Sequence, residues 1–341
     1  MSSVLFLTEG RHVPSTRYRV KPLIPYLEEM GYRCTVRHCW PNKYFVSRKR
    51  SIWPIYDALT SLTRLLQIMD AGKFDIIFLQ RDLARWSHPF LEKLLFKINA
   101  NVVFDLDDAQ WLFSSKHKIR YIAQRSRVCT VGNGNLQNFF QPTPTKLLPT
   151  IVDVQCYPVK QHMASEPVII GWTGTSFNYP FFDGYRELFR SLLEPGKVEL
   201  NIISNGGIIQ ELEGLPVNYI KWHPEIELKE LNCFDIGVMP LPDNELTRNK
   251  CGLKLVQYQA LGIPSVASAI GANLDIIQHG KTGYLCKSLT EWHGSLSRLI
   301  NTLSLRREMG AEARANAESS FNAPTVARQL ATIFEQLNSH G

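Results

Sequence analysis

Short apolar segments rich in β-branched residues alternate with longer helical patterns along all 341 residues of the chain. This alternation is typical of parallel α/β units, because each parallel strand needs a crossover, usually a helix, before the next strand. It argues against a β-sandwich or a helical bundle. The strands are predicted in two sets of six: Val4–Leu7, Cys34–His38, Ile76–Leu79, Val102–Leu106, Val128–Val131 and Lys146–Leu148, then Val168–Trp172, Val198–Ser204, Asn218–Ile220, Ile236–Met239, Ser265–Ser268 and Tyr284–Cys286. We therefore predict an α/β chain with two similar open parallel sheets.

A proline-rich stretch between residues 142 and 167 separates the two sets of strands. We place the domain boundary there and predict a first domain over residues 1–160 and a second over residues 161–321. Residues 322–341 have the pattern of a terminal helix, which Asn322 can cap. Because ligands of open parallel sheets bind outside the carboxyl ends of the strands, we expect the functional site in a cleft between the domains.

Two helices of the first half have a clear apolar periodicity, and we predict them over Thr16–Met30 and Tyr56–Met69. We expect the apolar side of the second helix to cover the sheet. That side consists of Leu59, Leu62, Leu65, Leu66 and Met69. Between the helices, Arg37–Trp53 mixes basic and aromatic residues, which suits an interfacial membrane contact or a solvated loop. The loop is favoured, because the helix that follows already has the sheet to cover.

Positive charge is concentrated in the first half of the chain. Residues 1–165 hold 23 Lys and Arg against 12 Asp and Glu, a balance of +11, whereas residues 166–341 hold 15 against 19, a balance of −4. A field of positive sign favours anionic partners, such as a membrane surface, a nucleic acid or a phosphorylated acceptor. It does not choose among them.

Several classes of protein are disfavoured by what the sequence lacks. It has no G-x-S-x-G, Walker or G-x-G-x-x-G fingerprint, which argues against a hydrolase, a P-loop protein and an ordinary dehydrogenase. Its seven scattered cysteines include no C-x-x-C pair, so neither a disulfide framework nor a zinc site is predicted. No stretch approaches the roughly 18 apolar residues of a spanning helix, and the start, MSSVLFLTEGRH, lacks a basic n-region. We expect a cytoplasmic protein.

The strongest candidate site lies at the start of a helix predicted over Gly252–Leu261. Lys250 and Lys254 flank its first turn, although lysine there opposes the helix dipole by roughly 0.3–1 kcal/mol. A bound anion would explain both, because the N–H groups of Gly252 and Leu253 and the two ammonium groups would hold a diphosphate and stabilise it as a leaving group. Alternatively, both lysines are solvated and pair with the acidic residues just upstream.

Two further loops after predicted strands carry glycines and short polar residues. Gly174, Thr175 and Ser176 follow the first strand of the second domain, and their tight turn and hydroxyls suit phosphate or sugar oxygens. Ser176 could equally be only an N-cap. Gly271 and Asn273 follow the fifth strand of that domain, again at a helix start.

Long runs of the sequence carry a family resemblance: MPLPDNELTRNKCGLKLVQYQALGIPSVASAIGANLDIIQHGKTGYL, LTEW and LRREMGAEAR in the second half, with STRYRV, FDIIFLQRDL and VVFDLDDAQW in the first. They resemble retaining GT-B glycosyltransferases of glycosyltransferase family 4. The resemblance implies two Rossmann-like domains whose parallel sheets face each other across a cleft, with the helix of residues 322–341 packing back on the first domain. It also implies transfer of a sugar from a UDP- or GDP-linked donor with retention, without a metal or a cofactor.

The resemblance also assigns roles to single residues. The family's two glutamates would fall on Asn249, near the hydroxyls of the donor sugar, and on Gln257, near the ribose. Both are amides here, and an amide keeps the hydrogen bond but loses its charge-assisted part. The family's Arg and Lys phosphate pair is missing from the loop after the first strand of the second domain. We therefore expect Lys254, helped by Lys250, to supply that positive charge as catalytic residues.

Acceptor binding is expected in the first domain. Arg17 and Arg19 open its first helix, where they would either meet an anionic acceptor or simply lie on the surface. The D-x-D-D run that ends at Asp108 could hold a divalent metal. We favour instead Asp107 or Asp108 as cleft residues that position an acceptor hydroxyl or Arg81.

The resemblance implies a retaining hexosyltransferase of polysaccharide biosynthesis, and we expect it to act on a glycan, a lipid-linked or a phosphorylated acceptor. A peripheral contact with the inner membrane face would suit a lipid-linked acceptor, and no nucleic-acid partner is expected. Two alternatives stay open. One is a sugar-nucleotide epimerase or phosphorylase on the same two-sheet plan, and the other is a non-catalytic GT-B-like binding module.

Overall fold

The computed structural model of the protein describes residues 1–41, 52–164 and 166–338. These residues form two six-stranded sheets in which every pair of neighbouring strands is parallel. Helices connect the strands, as parallel pairing requires. The predicted α/β class with two open parallel sheets is confirmed. Most of the predicted interfacial segment Arg37–Trp53 lies outside the described residues.

The first sheet consists of β1 (Ser3–Thr8), β2 (Arg33–His38), β3 (Ile76–Gln80), β4 (Val102–Leu106), β5 (Val128–Val131) and β6 (Thr145–Leu147). Their spatial order is β2-β1-β3-β4-β5-β6. All six predicted strands are present, and their ends differ from the prediction by one residue at most. The order of the strands places the carboxyl ends of β1, β3 and β4 side by side.

The second sheet consists of β7 (Val168–Thr173), β8 (Val198–Ser204), β9 (Val217–Lys221), β10 (Ile236–Met239), β11 (Ser265–Ser268) and β12 (Gly283–Cys286). Their order is β12-β11-β10-β7-β8-β9, and the predicted strands again agree to within one residue at each end. This order places the carboxyl ends of β7, β10 and β11 side by side.

The helices alternate with these strands. They are α1 (Pro14–Arg19), α2 (Ile24–Glu29), α3 (Trp53–Met69), α4 (Phe90–Ile98), α5 (Lys116–Arg125), α6 (Gly134–Phe139), α7 (Arg186–Leu192), α8 (Glu227–Leu231), α9 (Glu245–Arg248), α10 (Leu253–Ala260), α11 (Asn273–Ile276), α12 (Leu289–Asn301), α13 (Leu303–Ser320) and α14 (Ala323–Asn338). Short 3₁₀ helices occupy Lys21–Leu23, Ala71–Lys73, Gln110–Leu112, Val154–Cys156, Ser176–Phe182 and Gln210–Leu212. Within the described residues, no helix is long and apolar enough to cross a membrane.

The chain folds as two compact units. The first holds residues 1–151, 249–251 and 323–341, and the second holds residues 152–248 and 252–322. The break after Ile151 falls earlier than the predicted boundary at residue 160. The short segment Asn249–Cys251 belongs to the first unit, although the sequence on both sides of it belongs to the second.

The terminal helix α14 completes the core of the first unit. The ring of Phe334 lies 5.5 Å from that of Tyr32 and 6.4 Å from that of Phe6 on β1. The hydroxyl of Tyr32 donates a hydrogen bond to the carbonyl oxygen of Ala331 at 3.2 Å. Residues at both ends of the chain therefore share one apolar cluster.

Strand β1 is buried on both faces. Val4 and Phe6 lie in the cluster that includes α14, whereas Leu5 and Leu7 lie in a second cluster on the opposite face. Successive side chains of a strand point to opposite faces, so both faces of this sheet need a helical cover. The second unit has a comparable apolar cluster of its own.

The prediction of one continuous helix over residues 16–30 is wrong. The structure has α1, a 3₁₀ turn that contains Pro22, and then α2. Pro22 and Pro25 account for the break, because proline has no N–H to donate and its ring clashes with the preceding helical turn.

Helix α3 turns its polar side toward the protein. The side chain of Arg64 is buried, and its guanidinium donates to the carbonyl oxygens of Thr8 at 2.7 Å and Leu83 at 3.3 Å. The other buried residues of the helix are Tyr56, Thr60 and Ile68. The prediction that the apolar side of this helix covers the sheet is therefore wrong. The predicted core residues Leu59, Leu62, Leu65, Leu66 and Met69 are instead 36–67% exposed.

Candidate functional site

Three loops of the second unit share one edge of its sheet. Strand β10 pairs with β7 on one side and with β11 on the other. The loops that follow these strands therefore lie at the edge where ligands of open parallel sheets bind. They carry the predicted donor-binding positions around Gly174, at the start of α10 and around Gly271, which the fold brings to the same edge.

The ammonium group of Lys254, on the first turn of α10, lies over the ring of Trp172. The distance from Nζ to the ring centroid is 4.3 Å, which is a cation–π geometry. Gly174 lies beside both, since a Cβ atom there would stand 2.7 Å from the indole and 3.2 Å from Nζ. Sequence reasoning named Lys254 and Gly174 but gave Trp172 no role. The aromatic residue two positions before the glycine was the available signal.

Two N–H groups of the loop around Gly174 already donate hydrogen bonds to other residues of the second unit. The N–H of Gly174 donates to the carbonyl oxygen of Ile203 at 3.1 Å, and the N–H of Ser176 donates to Asn205 Oδ1 at 2.9 Å. Thr175, and not Ser176, occupies the N-cap position of the following 3₁₀ helix. The N-cap alternative for Ser176 is therefore wrong, and the N–H groups of Gly174 and Ser176 already have acceptors within the second unit.

Helix α10 begins at a glycine in a left-handed conformation. Gly252 has φ = +69°, and a Cβ atom there would lie 2.3 Å from Cδ1 of Ile276. The first N–H to donate within the helix is that of Leu255, which bonds the carbonyl oxygen of Gly252 at 2.9 Å. The N–H of Leu253 precedes this first donor, at the positive end of the helix dipole.

Tyr258 fixes α10 to the end of β7. Its buried hydroxyl oxygen accepts a hydrogen bond from the N–H of Thr173 at 3.2 Å, and burial raises the pKa of Tyr258. Its ring packs where Gly237 on β10 has no side chain. Tyr258 stands one helical turn after Lys254, so this anchor also sets the position of the ammonium group.

The two amides are buried, and the second lysine belongs to the first unit. Asn249 and Gln257 are both buried, and Nε2 of Gln257 donates to the hydroxyl of Tyr157 at 3.4 Å. Lys250 lies in the segment that belongs to the first unit, where its carbonyl oxygen accepts from Nδ2 of Asn133 at 3.0 Å. Lys250 therefore belongs to the first unit and Lys254 to the second.

Of the acidic residues upstream of α10, Asp243 pairs with Arg248, with Oδ1 2.5 Å from Nε. Asn273 is buried, and its Nδ2 donates to the carbonyl oxygen of Ser268 at 2.9 Å. The side chain of Asn273 thus holds its own loop together.

We expect Gly271→Ala to destabilise the second unit by about 2–3 kcal/mol. Gly271 has φ = +53°, and a Cβ atom there would lie 2.7 Å from the carbonyl oxygen of Arg248. The left-handed backbone alone costs about 1–2 kcal/mol, and backbone cannot move aside as a flexible side chain can. Gly280→Ala is the matched control, since φ is +78° there and no atom lies within 4 Å of the added Cβ. Urea denaturation measures both variants, and equal losses would contradict the contact with Arg248.

In the first unit, Arg19 is not available to an acceptor. Its guanidinium is buried, bonds Asp105 through Nε at 2.9 Å and Nη2 at 2.5 Å, and donates to the carbonyl oxygen of Leu148 at 2.8 Å. Burial alone would lower the pKa of Arg19, but Asp105 outweighs it and the pKa is raised. The prediction of an acceptor role for Arg19 is therefore wrong. Arg17 is only half-buried, with its guanidinium 5.0 Å from the ring centroid of Tyr18.

Arg81 is held by three carboxylates at the carboxyl ends of β1 and β4. Its Nη2 lies 2.8 Å from Asp107 and 3.2 Å from Asp108, and its Nη1 lies 3.0 Å from Glu9. Arg81 adopts φ = +60°, a strained conformation for a residue with a side chain, of the kind that collects at functional sites. Sequence reasoning missed Glu9, although an acidic residue directly after a buried first strand was a signal for this edge.

The surroundings shift the pKa values of the two aspartates of this cluster in opposite directions. Burial would raise the pKa of Asp107, but Arg81 and Arg19 outweigh burial and the pKa is lowered. Burial and the charge of Asp107 raise the pKa of Asp108, whose side chain is 34% exposed. Carboxyl groups with pKa values pushed apart are typical of acid–base sites.

The D-x-D pair does not form a common ligand set. Asp105 is paired with Arg19 and Asp107 with Arg81. Within residues 1–41, 52–164 and 166–338, no group of three His, Cys, Asp or Glu side chains is arranged to hold a metal ion.

The architecture is that of GT-B glycosyltransferases. The sucrose-phosphate synthase of Thermosynechococcus elongatus superimposes with a TM-score of 0.75 at 12% identity, covering 99% of this chain and 100% of that one. HepE of Anabaena in complex with UDP-glucose superimposes with a TM-score of 0.71 at 15% identity, covering 98% and 100%. At such identities the likeness concerns the fold.

Sequence comparison adds a family model for part of the second unit. Residues 173–302 match the model described as glycosyl transferases group 1. Over 85 residues the chain is 33% identical to the N-acetyl-alpha-D-glucosaminyl L-malate synthase of Bacillus anthracis, which is 24% of this chain and 22% of that protein. Over 89 residues it is 29% identical to spore coat protein SA of Bacillus subtilis strain 168. That match covers 25% of this chain and 24% of that protein. The chain thus matches less than a quarter of the length of these relatives. The family model and the fold together support a glycosyltransferase.

Proposed function

We propose that the protein is a retaining glycosyltransferase that moves a sugar from a nucleoside diphosphate sugar to an acceptor hydroxyl without a metal ion. The observation that carries the proposal is the Lys254 ammonium group, which lies over the ring of Trp172 and beside Gly174 at the carboxyl edge of the second sheet. All three residues lie within or next to residues 173–302, which match the group 1 model.

At the carboxyl edge of the second sheet, the proposed reaction requires stabilisation of the nucleoside diphosphate as a leaving group. The bond between the anomeric carbon and the diphosphate oxygen breaks, and a bond to the acceptor oxygen forms on the same face. The departing phosphate takes the proton of the acceptor hydroxyl. Lys254 and the start of α10 offset the negative charge that develops on the diphosphate, which is the usual largest contribution to such catalysis.

On the acceptor side we assign different tasks to the two aspartates. Asp107 holds the guanidinium of Arg81, whereas Asp108 is partly exposed and can accept a hydrogen bond from an acceptor hydroxyl. Arg17 is the remaining candidate for an anionic acceptor, since Arg19 is buried. A glycan, a lipid-linked or a phosphorylated acceptor fits the charge balance of +11 in residues 1–165.

Calorimetric titration of the purified protein with UDP, GDP and their sugars tests donor binding. UDP-glucose is the first probe, because a structural neighbour is in complex with it. We expect binding of at least one diphosphate, and nucleotide release that accelerates when a matching acceptor is added. Release that depends on no acceptor would contradict transfer and favour an epimerase. No binding of any nucleotide would overturn the proposal.

A non-catalytic GT-B-like binding module is the second candidate. It is favoured by the amides Asn249 and Gln257, which cannot provide the charge-assisted hydrogen bonds of the family's glutamates. Such a module would retain the fold while failing the nucleotide titration, so the same experiment separates it from an enzyme.

A further inference from the structure

The outward side of α3 is a continuous apolar surface on the first unit. Six large side chains at helical spacing form it, each at least 36% exposed and none charged. We name this surface the α3 stripe, and it consists of Ile55, Leu59, Leu62, Leu65, Leu66 and Met69. Contiguous exposed apolar surface of this kind marks an interaction site on a folded protein.

The orientation of α3 is fixed by its polar side. Arg64 donates to the carbonyl oxygens of Thr8 and Leu83 and, through Nη1, to Gln67 Oε1 at 2.9 Å. Rotating the helix to bury the α3 stripe would break these bonds, and the carbonyl oxygen of Leu83 would lose the donor that Arg64 supplies. The outward apolar side is therefore a stable feature of the fold.

Aromatic and basic side chains border the α3 stripe. Trp86 is 44% exposed and donates from Nε1 to the hydroxyl of Ser61 on α3 at 2.7 Å. The guanidinium of the exposed Arg85 lies 3.9 Å from the ring centroid of Trp53, at the start of the same helix. Half-exposed indoles and basic side chains beside an apolar helix face are the features of helices that lie in a membrane interface.

Charge decides between a membrane and a second copy of the chain. Residues 1–151, the main segment of the first unit, hold 22 Lys and Arg against 11 Asp and Glu, a balance of +11. Two such units that met through the α3 stripe would repel each other, whereas an anionic bilayer would attract each of them.

We propose that the α3 stripe docks on an anionic lipid bilayer. The leucines enter the boundary between headgroups and acyl chains, the indole of Trp86 lies at headgroup depth, and Arg85 meets lipid phosphates. The α3 stripe belongs to the first unit, whereas the proposed donor site belongs to the second. The proposal therefore does not depend on sugar transfer.

Co-sedimentation of the full chain with vesicles tests the proposal. The vesicles are phosphatidylcholine alone, or equal parts phosphatidylcholine and phosphatidylglycerol. We expect binding to the anionic vesicles that weakens with added salt, and at least about tenfold weaker binding by the double variant Leu62→Glu, Leu66→Glu. The matched control is Ile208→Glu, Leu289→Glu, which changes two exposed apolar residues of the second unit and should bind as the unchanged protein does.

Three results would overturn the proposal: no binding to anionic vesicles at low salt, equal binding by the stripe variant and the unchanged protein, or a dimer in sedimentation velocity that the stripe variant dissociates. The last result would assign the α3 stripe to a second copy of the chain. Leu62→Ser, Leu66→Ser repeats the test without added negative charge. Circular dichroism verifies that each variant is folded, as expected for substitutions at exposed positions.

Discussion

Replacing Lys254 with alanine should lower the rate of sugar-nucleotide turnover by a factor of about 100 to 1,000, the usual effect of removing one electrostatic stabiliser of a developing charge. The ammonium group lies beside Gly174, so in the proposed mechanism its loss removes a positive charge from the diphosphate site. The effect should fall on the turnover rate more than on donor affinity, because the negative charge grows as the bond to the sugar breaks. Steady-state kinetics with the donor found by calorimetry measure both.

Two further variants separate the role of the charge from that of the fold. Lys254→Arg keeps a cation that can stack on Trp172, and it should retain more activity than the alanine variant. Lys197→Ala removes an exposed lysine of the same unit, one paired with Glu194 at 2.6 Å, and should leave turnover unchanged. Turnover of Lys254→Ala at the level of the unchanged, equally stable protein would remove Lys254 from the mechanism.

Strand positions could be predicted from the sequence because a parallel strand buried on both faces is marked by an unbroken apolar run. Val102–Leu106 and Ser265–Ser268 match the structure residue for residue. The bounds of the helices were harder to predict from the sequence. Pro22 fits the first turn of a helix as well as a break, and only the packed chain shows that Lys21–Leu23 is a 3₁₀ turn.

Periodicity shows that a helix has two different sides, but it does not show which side the protein buries. On the polar side of α3, the guanidinium of Arg64 donates to the carbonyl oxygens of Thr8 and Leu83. These acceptors are distant in sequence, so no local pattern reveals them. The helical spacing of Leu62 and Leu66 was predicted correctly, but the prediction that they face the sheet was wrong.

The same limit applies to the candidate site. The prediction singled out Lys254 and Gly174 from separate motifs, and the parallel order of β7 and β10 places them side by side. Arg19 and Arg17 look alike in sequence, yet Arg19 is buried against Asp105 and Arg17 is only half-buried. Which arginine is buried depends on a partner 86 residues away.

The ion pair of Arg19 and Asp105 provides the second large effect, and Asp105→Ala should lower the free energy of unfolding by about 3–5 kcal/mol. The carboxylate accepts two bonds from the guanidinium and one from the hydroxyl of Thr130 at 2.8 Å. Its removal leaves a buried positive charge without its counter-ion. Burial alone lowers the pKa of Arg19 once Asp105 is gone, but a guanidinium is basic enough to stay protonated near neutral pH, so the charge remains. Urea denaturation of the full chain measures the loss.

An exposed ion pair of the same unit is the control. Asp70 contacts Lys73 at 2.6 Å and Arg37 at 3.1 Å but is 39% exposed, so Asp70→Ala should lower the free energy of unfolding far less than Asp105→Ala does. The double variant Arg19→Met, Asp105→Leu removes both charges, and it should recover most of the stability that Asp105→Ala loses. If the double variant were as unstable as Asp105→Ala, the loss would come from packing around β4 and not from the unpaired charge, and the electrostatic account of the buried pair would be wrong.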